Sequence, residues 1–106
     1  MNNIDLSSVS NNVISGIDNI DIITYGTLKE MIQVTNPNQV GKVINNDTME
    51  VMYDINPMIM IINQNRSDYR ERLDHLIQNG GDMDKEINYG NRVTTPREIA
   101  IKYRKY

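Results

Sequence analysis

Asn56-Pro57-Met58-Ile59-Met60-Ile61-Ile62-Asn63 is the stretch whose reading decides the fold. Asn-Pro is a helix start: the Asn side chain accepts from an unpaired amide of the first turn, and Pro at the first helical position gives up a donor that has no partner anyway. The residues that follow are apolar on every side. A helix without a polar face must be sandwiched between neighbours. Downstream, Gln64-Asn65-Arg66-Ser67 makes a tight turn. In the next segment Tyr69, Leu73, Leu76 and Ile77 fall at i, i+4, i+7 and i+8, one buried helical stripe. Arg70, Glu71, Arg72, Asp74 and Gln78 are placed on the other, solvated side. Asp68 and Glu71 have capping-box spacing, and Asn79-Gly80-Gly81 supplies residues that tolerate a left-handed C-terminal cap.

Residues 82–94 read as a long turn or hairpin, with Met83, Ile87, Tyr89 and Val93 among polar neighbours. Thr95-Pro96-Arg97-Glu98 opens a last helix as a capping box with Pro at its first position, and Ile99, Ala100 and Tyr103 form its inner face. Upstream, residues 48–55 alternate, with Met49, Val51, Tyr53 and Ile55 on one side, as an extended arm does. Pro37 is expected to open a helix whose apolar face is Val40, Val43 and Ile44. A preceding helix is expected from Thr27, capped by Thr27 and Glu30, carrying Leu28, Met31 and Ile32, and stopped by Asn36-Pro37. Residues 1–16 are polar and read as a loose or weakly helical arm.

Composition narrows the chemistry. The chain has 106 residues, enough for one domain, with a formal net charge of −3 and 24% charged residues. That balance argues against a general nucleic-acid binder. Cysteine is absent and His75 is the one histidine, so thiolate zinc sites, disulfides and multi-histidine metal sites are excluded. No apolar run reaches the roughly 20 residues of a membrane span. The beginning, Met1-Asn2-Asn3-Ile4-Asp5, has neither a basic region nor an apolar core, so a cytoplasmic protein is expected. Ile occurs 16 times and Asn 15 times while Ala occurs once, a bias of A/T-rich codons that fits a virus or another AT-rich genome. Residues 92–106 carry Arg92, Arg97, Lys102, Arg104 and Lys105 against Glu98, whereas the rest of the chain is acidic. Basic residues in the last turn of a terminal helix complement its dipole.

Motifs for catalysis are missing. His75 has no nucleophile and oriented acid at a useful spacing, because Asp74 is adjacent and neighbours on a helix face apart. Asp82, Asp84, Glu86 and Asn88 alternate as calcium ligands do, but the EF-hand positions for Gly and Glu hold Ile87 and Val93. Gly80-Gly81 ends a helix, where the dipole repels phosphate. No cofactor is expected.

The Asn56-Pro57 and Thr95-Pro96 starts lie 39 residues apart, a spacing suited to a helical repeat. The segment between them resembles ankyrin repeats. Thr95-Pro96-Arg97-Glu98-Ile99-Ala100 keeps the Thr, Pro and Ala of the family's Thr-Pro-Leu-His-x-Ala. Leu76-Ile77-Gln78-Asn79-Gly80-Gly81-Asp82-Met83-Asp84 is close to its Leu-Leu-x-x-Gly-Ala-Asp-x-Asn. Tyr89-Gly90-Asn91 resembles the glycine turn of a finger tip. In departure from the pattern, Ile61 replaces a small Ala and Arg92-Val93-Thr94 reads as an insertion. The likeness is clearest over residues 56–100, and residues 20–55 are read as a degenerate first repeat.

What the resemblance implies is an all-α fold: short antiparallel helix pairs stacked as an ankyrin-like solenoid of two to three degenerate repeats, with hairpin or loop fingers. The division is a loose arm at residues 1–19 and one ankyrin-like helical domain at 20–106. The implied function is non-catalytic binding of another protein, a host factor if the source is viral. Finger residues Met83, Lys85, Tyr89, Asn91 and Arg92 are the candidate contacts, Tyr and Arg being favoured at interface hot spots. The alternative is a structural or assembly protein, with a homo-oligomer formed through the incomplete last repeat.

Overall fold

A computed structural model describes residues 12–105. It corrects the all-α expectation. The fold is mixed α/β, with two antiparallel sheets and four α-helices among the described residues. A three-stranded sheet of β1 (Asn12–Ser15), β2 (Gly41–Asn45) and β3 (Val51–Ile55), in that order, replaces the degenerate first repeat. Helix α1 (Ile20–Tyr25) and a 3-10 turn (Glu30–Gln33) lie between β1 and β2. Helices α2 (Pro57–Asn63) and α3 (Tyr69–Gln78) follow, then a short hairpin of β4 (Ile87–Asn88) and β5 (Val93–Thr94), then α4 (Pro96–Lys102).

The helix expected after Pro37 is strand β2. Val40, Val43 and Ile44 have helical spacing, yet Val43 is buried and Val40 is 45% exposed, as period-two packing on a central strand requires. Gly41 makes the strand fit: a Cβ there would lie 2.5 Å from the Ser15 carbonyl oxygen and 2.6 Å from Ile17 Cγ1. Within the expected loose arm, residues 12–15 pair with β2 and Ile17 enters the core, while residues 1–11 lie outside the described residues. The Thr27 helix shrinks to the 3-10 turn, although its capping box forms. The Thr27 amide donates to Glu30 Oε1 at 2.9 Å and the Glu30 amide to Thr27 Oγ1 at 3.2 Å.

The Pro-linked helix starts translate directly into structure, whereas the expected Asp68–Glu71 capping box does not form: Asp68 makes no side-chain cap bond, and its carboxylate is taken by Arg66. Residues 57–62 of α2 are all buried, with α1, α3 and α4 packed around the helix. Asn56 is itself buried, and its Oδ1 accepts from the Ile59 amide at 2.9 Å. Thr95 accepts likewise from the Glu98 amide at 3.2 Å. Asn56→Ala removes a cap that water cannot replace and is expected to cost about 1–2 kcal/mol. Urea unfolding checks it, and a loss within error of zero would show that the cap bond carries no stability. Helix α3 closes with Gly80 at φ 99° and the Gly81 amide donating to the Leu76 carbonyl at 2.8 Å. Gly81 stands where the ankyrin pattern has Ala, and a Cβ there would be 2.7 Å from Met58 Sδ.

Arg72 corrects the placement of the polar face of α3. It is fully buried, not solvated. One Nη donates to Gln64 Oε1 at 2.7 Å, and the other to the Ile22 and Ile23 carbonyls at 2.8 and 2.6 Å. The guanidinium thereby caps the C-terminal end of α1, where the helix dipole favours a cation. Burial, and next the neighbouring Arg66 cation, pulls it below its ordinary pKa. Arg66 adds a bond from Nη1 to the Thr24 carbonyl at 3.3 Å and a two-point pair with Asp68 at 2.9 and 2.8 Å. Side-chain amides tie the loops in the same way. Asn38 donates to the Gly80 carbonyl at 2.9 Å and accepts from the Asp82 amide at 2.7 Å.

Candidate functional site

The hairpin finger is built on a buried base. Ile87 and Thr94 face each other in the two-residue ladder and are both buried. Beyond them the Tyr89 amide donates to the Arg92 carbonyl at 2.8 Å, and Gly90 turns the tip at φ 84°, a conformation that favours glycine. Lys85, Asn91 and Arg92 are exposed, as a contact surface requires. Tyr89 is half-buried. Met83 is a correction: at 4% exposure it belongs to the core and offers no surface to a partner.

A second clamp holds the finger to α4. Arg97 Nε and Nη2 donate to the two Asp84 oxygens at 2.7 and 3.2 Å, and the Arg97 amide donates to the Met83 carbonyl at 2.9 Å. The hydrogen bonds from Arg97 hold the Asp84 carboxyl below its ordinary value, as those from Arg66 do for Asp68. Both folded-state values lie below the unfolded one, so the stability they add is complete above the ordinary carboxylate range. It is lost as pH falls through the folded values, below about pH 3.8. Acid unfolding followed by circular dichroism is therefore expected to be shallower in Asp84→Asn than in the parent. Identical acid limbs would exclude the Arg97 pair as a contributor.

Tyr89 packs on Tyr53 of β3, with ring centroids 4.5 Å apart and planes at 52°. This favours the tilted geometry of aromatic pairs and joins the finger to the three-stranded sheet. The Arg92 guanidinium lies 6.0 Å from the Tyr89 ring centroid. Burial raises the Tyr53 pKa, and the nearby Tyr89 and Tyr103 phenols raise it further. Next to Tyr53 a cavity of about 320 Å³ opens between the inner face of the sheet and the C-terminal ends of α1 and α2. Val43, Ile55 and Met60 form much of its wall. Sequence reading missed this hollow because its walls come from segments far apart in the chain. Tyr53 was legible only as one member of an alternating strand.

The remaining candidate groups have structural partners. Asn79 Nδ2 lies 3.0 Å from His75 Nε2, one helical turn away. The Asp84 amide donates to Asp82 Oδ1 at 2.9 Å, so the acidic run folds on its own backbone. Among the described residues no group of three or more His, Asp or Glu side chains is placed to share a metal ion. No helix among them is long and apolar enough to cross a membrane. The arrangement offers shape, aromatic surface and charge to a ligand. No protein-family model matches the chain, and neither a curated protein nor a solved structure does.

Proposed function

We propose that the chain is a non-catalytic protein–protein interaction module whose contact surface is centred on the finger. The observation that carries the reading is the finger itself. A buried, clamped base presents the exposed side chains of Lys85, Asn91 and Arg92 around Tyr89, and Tyr with Arg is the pairing favoured in interface hot spots. The helix–turn–helix–hairpin–helix order of residues 57–102 supports it, since the resemblance to ankyrin repeats implies recognition through such fingers. A rigid platform with a short exposed loop loses little conformational entropy on binding.

The test compares affinity capture by the parent with capture by the triple variant Lys85→Ala, Asn91→Ala, Arg92→Ala. A protein held by the parent and released by the variant is the expected result. Equal capture by both would reject the finger as the contact surface. A second reading, self-assembly, is favoured by the surface at the C-terminal end of α4, where Ile101 and the following Tyr103, which was expected on the inner face, are 60% and 50% exposed. Light scattering over a range of concentrations separates the two, since a mass that stays at 12.2 kDa excludes assembly.

A further inference from the structure

Two hollows flank one exposed residue, Asn63, and are taken together as a trough. The cavity beside Tyr53 shares Asn63 with a second one, of about 300 Å³, lined by Ile62, Tyr103 and Lys105. The first is walled mainly by aliphatic and aromatic side chains and matches the lower end, about 300 Å³, of the range for ligand pockets. The second leads to cations. Lys102 Nζ lies 6.0 Å from the Tyr103 ring centroid, and Lys105 Nζ reaches the Gln64 carbonyl and lies 5.2 Å from the Tyr69 ring. Arg104 is exposed beside them. The ion pairs among the described residues are Lys42–Asp54, Arg66–Asp68 and Arg97–Asp84, so Lys102 and Lys105 face rings or a carbonyl, Arg104 faces solvent, and none of the three is paired with a carboxylate of the described residues. The charge is also segregated, with residues 92–106 carrying +4 in a protein of net charge −3.

We propose that this trough binds an extended, acidic segment of a partner protein, with one large apolar side chain of the segment seated beside Tyr53 and its carboxylates facing Lys102, Arg104 and Lys105. The proposal rests on the reading of the chain as a protein-binding module and adds the chemistry of the partner. A nucleic-acid strand also carries negative charge and stacks on tyrosine. The half-buried Ile14 and Tyr53, set over a floor of Val43, Ile55 and Met60, and the acidic remainder of the chain favour a peptide instead.

The test uses fluorescence anisotropy on the full chain with three labelled probes. The first is a mixture of short peptides of Asp, Glu and Ser with a central Leu, Phe or Tyr. The second is the same mixture with Asn and Gln in place of the acids, and the third is a short oligothymidylate. The acidic mixture is expected to bind at least about tenfold more tightly than either control. Asn63→Trp fills the exposed wall common to both hollows, and Lys102→Glu with Arg104→Glu reverses the charge. Each is expected to weaken the acidic peptides by about tenfold or more while leaving the urea midpoint in place. Equal binding of neutral and acidic peptides, tighter binding of the oligonucleotide, or no binding overturns the proposal. So does acidic-peptide binding that Asn63→Trp leaves intact. Binding lost in the finger variant alone overturns the trough and keeps the module, whereas binding lost in the trough variants alone keeps the trough and removes the finger.

Discussion

Arg72→Ala is expected to lower the unfolding free energy by about 3–4 kcal/mol, against the roughly 5–15 kcal/mol available to a small domain. Arg72 is fully buried and donates three hydrogen bonds to oxygen, two of them to the last turn of α1. Hydrogen bonds from a charged donor contribute about 1.5–3 kcal/mol each, and the emptied volume adds a cavity cost. The relief of a desolvated cation acts the other way and keeps the loss below the sum. Some acceptors retain partners: Ile22 still accepts from the Gly26 amide at 2.8 Å, and Ile23 from Gln64 Nε2 at 2.9 Å. Arg72→Met, which refills the space without donors, separates the two contributions and is expected to fall between parent and Arg72→Ala in urea unfolding. A methionine variant as stable as the parent would show that desolvation cancels the bonds, leaving only packing.

The second large effect turns on a sign. Gly41→Ala is expected to destabilise by about 1–3 kcal/mol, the range for forcing atoms into a packed site. The new Cβ would meet the Ser15 carbonyl oxygen at 2.5 Å, and backbone cannot swing aside as a side-chain tip does. Yielding there means moving β1 off β2 at the register Ser15↔Lys42. Were residues 40–44 helical, as their spacing suggests, the same substitution would stabilise by about 0.8–1 kcal/mol. One equilibrium unfolding curve therefore distinguishes the two structures of this segment by direction alone. A gain in stability would exclude strand β2.

That segment shows where the sequence was legible and where it was not. Helices α2 and α4 begin at Asn-Pro and Thr-Pro, and α3 ends at Asn-Gly-Gly. These are signals held within four residues, and the structure reads them as written. Strand β2 depends on non-local pairing with β1 and β3. Val43 and Ile44 are both apolar because a central strand is covered by neighbours, and that produces the same spacing as one face of a helix. Four residues of β1 sit in a polar stretch with no alternation to mark them. Arg72 follows the same rule. It lies three residues after Tyr69 and four before Leu76, on the buried stripe by position, but its acceptors belong to residues about fifty positions earlier. A buried arginine is invisible to pattern reading when its partners are carbonyls that any sequence supplies. For the candidate site, the glycine turn at Gly90 was legible in the sequence, but the burial of Met83 was not, because a hairpin's local sequence does not show which side faces the core, and the hollow beside Tyr53 needed the fold.

The same long-range bonds govern how the chain opens. An array of repeats unzips from its ends, because each unit touches only its neighbours. Here Arg72 fastens α3 to the carbonyls of α1, and Asn38 fastens the loop before β2 to the end of α3. Neither half can loosen without breaking bonds to the other, and those of Arg72 lie in the interior. Backbone amides of α1, β2 and α3 should consequently exchange with solvent deuterium at one shared free energy, as a single foldon, while the finger amides exchange earlier.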